Sequence, residues 1–532
     1  MIVATFQSKY IKECSTEHFF YVAELSCIMR SAFRFLLRQF SLSALVFFLL
    51  VIFTGKVRAE VFDFNIRCQQ AYKEIVQLKL RNGQILLDEE KRRNPDNLIP
   101  FFLENYIDFF TLFFNEDPDE YKKLIGNLDK RLGLMNRGPE NSPYLLFTKS
   151  VIHFQWAAVR IKFGYNWDAG WQLRRAYLQI KENMTLFPAF TPNLVFNGAL
   201  QVAVGSIPDG YKWLSNLFGL RGSIKAGMER LGFFLESKND LSRIFHDEAA
   251  FYYLYLKFYM QNDKEGVFDF IKKTKLDVKN NHLLAYLAVN LSINNQQMEN
   301  ARRILLERNM SSEYISTSAW DLEMGYIAIS HLEADAAKYF ERFIGVFRGK
   351  FYLKDAFQKL SWHYYLQGNQ AKANHCRDQI IAKGSTDTDA DKQALKEALG
   401  GKWPNKLLLQ ARLLNDGGYH AEALRLLYGK RITDFNLPED KLEFAYRVGR
   451  LYDDVEREEE AIEFYQLAVR SGEHRTEYYA ARAALQIGYI YEKKQDKANA
   501  TSWFQRCLKM KDHDYKNSLD QRAKAGIERC RE

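Results

Sequence analysis

Apolar side chains along this chain recur three and four residues apart, with polar and charged residues between them. That spacing places the apolar groups on one face of an α-helix rather than on one face of a strand. A long amphipathic stretch over 64–90 ends before Asn94-Pro95, and a strongly apolar one over 97–114 ends at Asp117-Pro118. The stretches 143–163 and 167–187 predict a helical hairpin, with breaks at Phe163-Gly164 and Phe187-Pro188. A further pair over 240–275 is centred on AAFYYLYLKFYM at 249–260. No convincing period-2 alternation marks a strand, and 10 prolines and 29 glycines in 532 residues are too few for the many tight turns of an all-β protein. Ordinary helix and loop lengths then give about 20 helices, so the expected fold class is all-α.

The last hundred residues repeat. Val448-Gly449 is followed by Tyr452, Ala461, Tyr465 and Ala468, and Ile487-Gly488 by Tyr491, Ala500, Phe504 and Cys507. Both sets stand at +3, +12, +16 and +19 from the glycine. These are the offsets of the tetratricopeptide repeat (TPR), which this region resembles. In that unit small residues let two antiparallel helices approach, and aromatic residues fill the gaps to the next pair. Weaker copies lie upstream, around Gly325 with Ala336 and Phe340, around Tyr364 with Ala373, and around Leu414 with Ala423. The alanines expected on the second helix of each pair are Ala301, Ala336, Ala373, Ala423, Ala461 and Ala500, spaced by 35, 37, 50, 38 and 39 residues. The long step holds the polar stretch 384–401, read as an insertion with a short helix or as a break between two sub-arrays. The architecture expected is a TPR-like α-solenoid of stacked antiparallel helix hairpins.

The amino terminus reads differently. Residues 41–53, SLSALVFFLLVIF, form a run of thirteen uncharged residues closed by Arg38 and Lys56. A membrane-spanning helix needs about 20 apolar residues, so this run has the length of a signal-peptide core. Arg30, Arg34 and Arg38 supply a positive flank, and Val57-Arg58-Ala59 offers small residues for a cut before Glu60. Met29 opens a well-proportioned signal peptide, so 1–28 reads as a non-native or disordered extension and 29–59 as the signal segment. The competing reading is an uncleaved single-pass anchor. The rest divides into a helical domain over 60–240, degenerate repeats over 241–383, the polar insertion 384–401 and a C-terminal array over 402–532. Export is the expected localisation, to a bacterial periplasm or outside the cell, with membrane anchoring as the alternative.

Charge adds little. Lys and Arg number 75 against 66 Asp and Glu, a net +9. Removing 1–59 takes away seven basic and three acidic residues and leaves +5, with both signs interspersed. No basic cluster points to nucleic acid. Cys68, Cys376, Cys507 and Cys530 form no CxxC pair. Buried free thiols are expected, with a Cys507–Cys530 pair the alternative in an oxidising compartment.

The segment 207–231, IPDGYKWLSNLFGLRGSIKAGMERL, places Trp213 and Leu214 in a proline-initiated helix. It then passes through Gly219-Leu220-Arg221-Gly222 to a second helix with Gly227 and Leu231. This resembles the corresponding segment of the inclusion-body-clearance protein family and its animal TPR relatives. About 90 residues carry the likeness. Asp209 stands in place of a second proline, Leu220 in place of an aromatic residue and Ser223 in place of an aspartate. The resemblance implies a TPR fold that works through interactions, and it transfers no catalytic residue.

Catalytic patterns are missing from the sequence. There is no GxxxxGK[ST] loop and no GxSxG elbow, and His246-Asp247-Glu248 fails as a metal motif because Phe251 occupies the place of a distal histidine. No cofactor or metal is expected and the chain reads as a non-enzyme. The expected function is an exported scaffold binding a protein or peptide in a concave helical groove, with no nucleic-acid partner. The candidate groove residues are Tyr446, Arg447, Arg450, Arg482, Gln486 and Tyr489, on first helices and away from the second. The alternative is a glycan- or small-ligand-binding exported protein. Its stacking platform would be Trp167 and Trp171, in GYNWDAGW, read as a loop between helices. A membrane-tethered TPR receptor is the second alternative.

Overall fold

The computed structural model describes residues 59–207 and 218–531. The predicted extension and the signal segment up to Arg58 lie outside the described residues, as does 208–217 with Trp213 and Leu214. Among the described residues the regular elements are helices, with one isolated bridge between Val61 and Asn97. The helices pack as successive hairpins into an α-solenoid.

The alanine spacing marks the hairpins from 282 onward. Ala301, Ala336, Ala373, Ala423, Ala461 and Ala500 are all fully buried. They sit on Met298–Glu307, Ala336–Val346, Gln370–Ala382, His420–Leu427, Glu458–Gly472 and Lys497–Lys509. Each packs against the helix before it, and the small side chain permits the close approach. On the facing helix the glycine does the same. A Cβ on Gly449 would lie 2.7 Å from the Tyr465 ring, and one on Gly488 2.4 Å from that of Phe504. Phe504 is also covered from the terminal helix Lys516–Arg531, where Gly526 leaves room for it. The aromatic residue at +16 is therefore the plug between one hairpin and the next helix.

One element departs from the sequence pattern, and the expected short helix in 384–401 is more deeply packed than its polar sequence suggests. The stretch 64–90 forms two helices, Ile66–Val76 and Leu80–Arg93, because the backbone turns left-handed at Leu78 with φ 67°. Distant residues occupy the carbonyls freed there: His282 N–H donates to Gln77 at 3.3 Å and Ile315 N–H to Leu78 at 2.8 Å. The polar stretch 384–401 holds the helix Asp389–Gly400, which packs on Leu353–Leu366 with Ala394 and Ala398 buried. Asp391, fully buried, accepts from the backbone N–H of Tyr352 at 2.8 Å and of Asp355 at 3.0 Å. It thereby satisfies donors that a helix start otherwise leaves open.

The solenoid also touches itself across repeats. Gln296 donates to the Asn415 carbonyl at 3.2 Å, and the Tyr419 hydroxyl donates to Glu299 at 2.7 Å. His331 stacks on Tyr419 with centroids 4.1 Å apart. Cys68, Cys376, Cys507 and Cys530 are free thiols, with Cys530 the least buried.

Because the Gly488 contact leaves no room for even one carbon, Gly488→Val should destabilise the C-terminal array by about 1–3 kcal/mol. The measurement is the denaturant midpoint of helical circular dichroism. An unchanged midpoint would show that the two helices can part without cost.

Candidate functional site

The first helices of the last three hairpins, Lys406–Asp416, Pro438–Asp454 and Tyr479–Lys493, are followed by Lys516–Arg531 and form the wall on which the groove is expected. The six groove residues expected on it divide into two groups. Tyr446 and Arg447 are buried, at 5% and 3% exposure, so they support the wall and do not face solvent. Arg447 donates to Glu443 at 2.8 and 3.0 Å, and its guanidinium lies 5.7 and 5.5 Å from the rings of Tyr446 and Tyr479. The other four are half-buried. Arg450 pairs with Asp416 at 2.6 Å and stands 3.6 Å from Asp454. Burial alone would raise the Asp416 carboxyl, but Arg450, Arg412 and Arg447 together hold it below the usual carboxylate range. Gln486 donates to Asp453 at 3.3 Å, and Tyr489 meets Phe504 at 5.4 Å. The Arg482 side chain makes no ion pair or hydrogen bond among the described residues. It faces another cation, since the Arg522 guanidinium is pushed down first by burial and then by Arg482.

Beside this wall lies a hollow of about 410 Å³ that the sequence did not announce. It is bounded by the helix Asp389–Gly400, the loop with Trp403 and Pro404, and the starts of Pro438–Asp454 and Tyr479–Lys493. Tyr478, Tyr479 and Tyr515 form an aromatic side, and Glu397, Glu439, Asp440, Glu443 and Glu477 an acidic one. None of the six expected residues lines it, although Arg447 reaches it through Glu443. The lining comes from loops, from helix starts and from the bodies of Asp389–Gly400, which lies outside the repeat pattern, and Lys406–Asp416. The clusters that could have drawn attention are Gly400-Gly401-Lys402-Trp403-Pro404 and Glu477-Tyr478-Tyr479.

Trp167 and Trp171 occupy a separate place. They lie on the first two turns of the helix Asn166–Leu186, one turn apart, and not in a loop as expected; the connection is only 163–165. Both are exposed, at 55% and 42%, and both contact Phe218, at 5.6 and 5.2 Å between centroids. Among the described residues no group of three His, Cys, Asp or Glu side chains is arranged to hold a metal ion. No helix among them is long and apolar enough to cross a membrane.

Two carboxyls are buried away from these sites. Glu248 accepts from Tyr72 at 2.5 Å, Tyr106 at 3.0 Å and Tyr252 at 3.2 Å. Burial pushes it up to about 7 against the pull of those three hydroxyls. Burial raises Glu323 to about 7 as well, with only Asn290 nearby at 3.5 Å. A carboxyl with an ordinary value of 4.5 and a folded value of about 7 holds its proton in the folded chain where the unfolded chain has lost it. Its contribution to stability is therefore complete below pH 4.5 and is lost as pH rises through about 7. Glu323→Gln should make the melting temperature fall less between pH 5 and pH 8 than it does in the native chain. Parallel profiles for the two proteins would refute the buried, uncompensated carboxylate.

Comparison with known proteins bears on the same region. The family model described as tetratricopeptide repeat matches residues 442–471 and 481–514. No curated protein matches the chain. Among solved structures, the crystal structure of the APC/C hetero-tetramer Cut9–Hcn1 aligns at 11% identity, covering 87% of this chain and 95% of that one. Its TM-score is 0.24, too low to carry an argument about this protein.

Proposed function

We propose that this tetratricopeptide-repeat protein is an exported scaffold without catalytic activity, which holds a segment of a protein or peptide in the groove of its C-terminal repeats. The observation that carries the reading is the hollow of about 410 Å³ at the starts of the wall helices, with the unpaired Arg482 on the same wall. Stacked TPR-type hairpins present a rigid concave surface, and such surfaces typically bind extended chains without reacting with them. A photo-crosslinking residue placed at Tyr478 should capture the partner, whereas one at the exposed Glu463 on the second helix of its hairpin should not. Equal capture from both positions would remove the groove from the proposal. Arg450→Ala with Arg482→Ala should also abolish capture, since one change breaks the pair with Asp416 and the other removes the free cation.

Export is supported by the positive flank of Arg30, Arg34 and Arg38, the apolar run 41–53 and the small residues before Glu60. The compact unit formed by the repeats also begins at Glu60. The mass of the mature amino terminus tests this: a chain starting at Glu60 in a soluble exported fraction is expected. An intact terminus in the membrane fraction would make 41–53 an anchor and the repeats a tethered receptor.

A second reading, a glycan or small ligand on Trp167 and Trp171, is favoured by their exposure one helical turn apart. Titration with oligosaccharides should then shift tryptophan fluorescence in the native chain and not in Trp167→Ala with Trp171→Ala.

A further inference from the structure

The hollow beside the wall carries an imbalance of charge that its own ion pairs leave uncorrected. Five carboxylates line it against three cations, Lys396, Lys402 and Arg412. Three of the carboxylates are met locally: Glu439 by Lys402 at 2.8 Å, Glu443 by Arg447 at 2.8 Å and Glu477 by Arg475 at 2.7 Å. The remaining two lining cations are committed elsewhere, Lys396 to Asp514 and Arg412 to Asp416 at 3.6 Å. Among the described residues Glu397 and Asp440 form no direct ion pair and take their hydrogen bonds from neutral donors, with Arg377 acting on Glu397 and Lys402 on Asp440 only at longer range. Glu397 accepts from Trp362 at 2.6 Å and Gln358 at 2.9 Å, and Asp440 from Asn405 at 3.2 Å.

At Asp440 the surroundings make the negative charge expensive. Burial first, and then the like charges of Glu443 and Glu439, push the Asp440 carboxyl up despite its bond from Asn405. A cation entering the hollow would counter the like charges and offset the cost of burial by direct attraction. The aromatic side suits a flat cation in particular. Tyr515 is 47% exposed and meets Tyr478 edge to face at 5.3 Å, and Tyr478 lies 4.5 Å from Tyr479. The chain already places one guanidinium on an aromatic ring at this rim, where Arg377 lies 3.7 Å from the ring of Trp403. A guanidinium is planar, sheds water more readily than an ammonium, stacks on aromatic faces and binds two oxygens at once. The volume falls within the range of about 300–1,000 Å³ usual for sites that enclose a small group.

We propose that the hollow takes an arginine side chain of the partner, its guanidinium set between the Glu397 and Asp440 carboxylates and the tyrosine side. This rests on the reading of the groove as a peptide site. The chain as a whole carries a net charge of +9, so a polycation reaches this hollow against the overall field and not because of it.

The test is calorimetric titration of the full chain with hexa-arginine, hexa-lysine, hexa-citrulline and hexa-glutamate peptides. Citrulline keeps the shape of arginine and loses the charge. Hexa-arginine should bind at least tenfold more tightly than hexa-citrulline and several-fold more tightly than hexa-lysine. Glu397→Gln with Asp440→Asn, at unchanged helical circular dichroism, should erase the advantage over citrulline. Tyr515→Ala, checked for unchanged helical circular dichroism because its hydroxyl also donates to Gln393, should weaken hexa-arginine several-fold. Equal binding of arginine and citrulline, or of arginine and lysine, would overturn the guanidinium assignment while leaving the groove as a peptide site. Preference for hexa-glutamate would overturn it in favour of the Arg482 and Arg522 side. Undiminished hexa-arginine binding by both variants would place the cation elsewhere on the chain. Failure of all four peptides to bind would remove the peptide groove together with its chemistry.

Discussion

The distance at which two helices of a hairpin can pack governs the rest of this molecule. Where Gly488 faces Phe504, and Gly449 faces Tyr465, the ring of one helix rests on the backbone of the other. The buried alanines at 301, 336, 373, 423, 461 and 500 keep the second helix equally close. Once that distance is set, each ring also reaches the following element, as Phe504 does at Gly526. The angle between one hairpin and the next then follows, and with it the curvature of the wall. Dispersion and apolar burial supply the energy, and the small residues supply the geometry that lets them act.

Charge is distributed around that frame in two ways. Between hairpins it fastens, as in Arg450 with Asp416, or Lys493 with Glu458 at 2.8 Å. In the hollow and at Arg482 it is left in excess, negative in one place and positive in the other. A protein selected for stability alone gains little from uncompensated charge in partly enclosed positions. The two unmatched sites are separate, one in the hollow and one at Arg482, and a binding role as proposed would explain why neither is compensated within the chain.

The fold was legible because its signal is periodic. Six alanines at near-regular spacing located six hairpins, and the +3, +12, +16, +19 pattern identified two of them residue by residue. What escaped depended on distant partners. The left-handed turn at Leu78 needs His282 and Ile315 to take up the freed carbonyls, and neither is visible in the sequence around it. The stretch 384–401 looked polar, yet Asp391 is buried because backbone N–H groups some 36 to 39 residues earlier in the chain require it. The groove residues were chosen by helical position alone. That locates Arg482 and Tyr489 on the wall but cannot tell that Arg447, on the same kind of face, is covered by its neighbours. The hollow brings together loops, helix starts and the inserted helix Asp389–Gly400, none of which the repeat pattern covers, so its tyrosines and carboxylates carried no pattern to detect.

The contacts of Gln296 and Tyr419 change what kind of object this solenoid is. An array whose repeats touch only their neighbours behaves as a linear chain of coupled units, which frays from its ends and stretches like a spring. Here residues about 120 positions apart in sequence are joined by hydrogen bonds. The intervening hairpins are enclosed in a loop and cannot open one at a time without breaking that junction. The junction closes the middle of the array on itself, and the last repeats are tied back in the same way, by Lys396 with Asp514 and by the Tyr515 hydroxyl donating to Gln393. That second tie borders the hollow, which Gln393, Lys396 and Tyr515 all line, so a group entering there would bear on the link that holds the start of the last helix to the middle of the array.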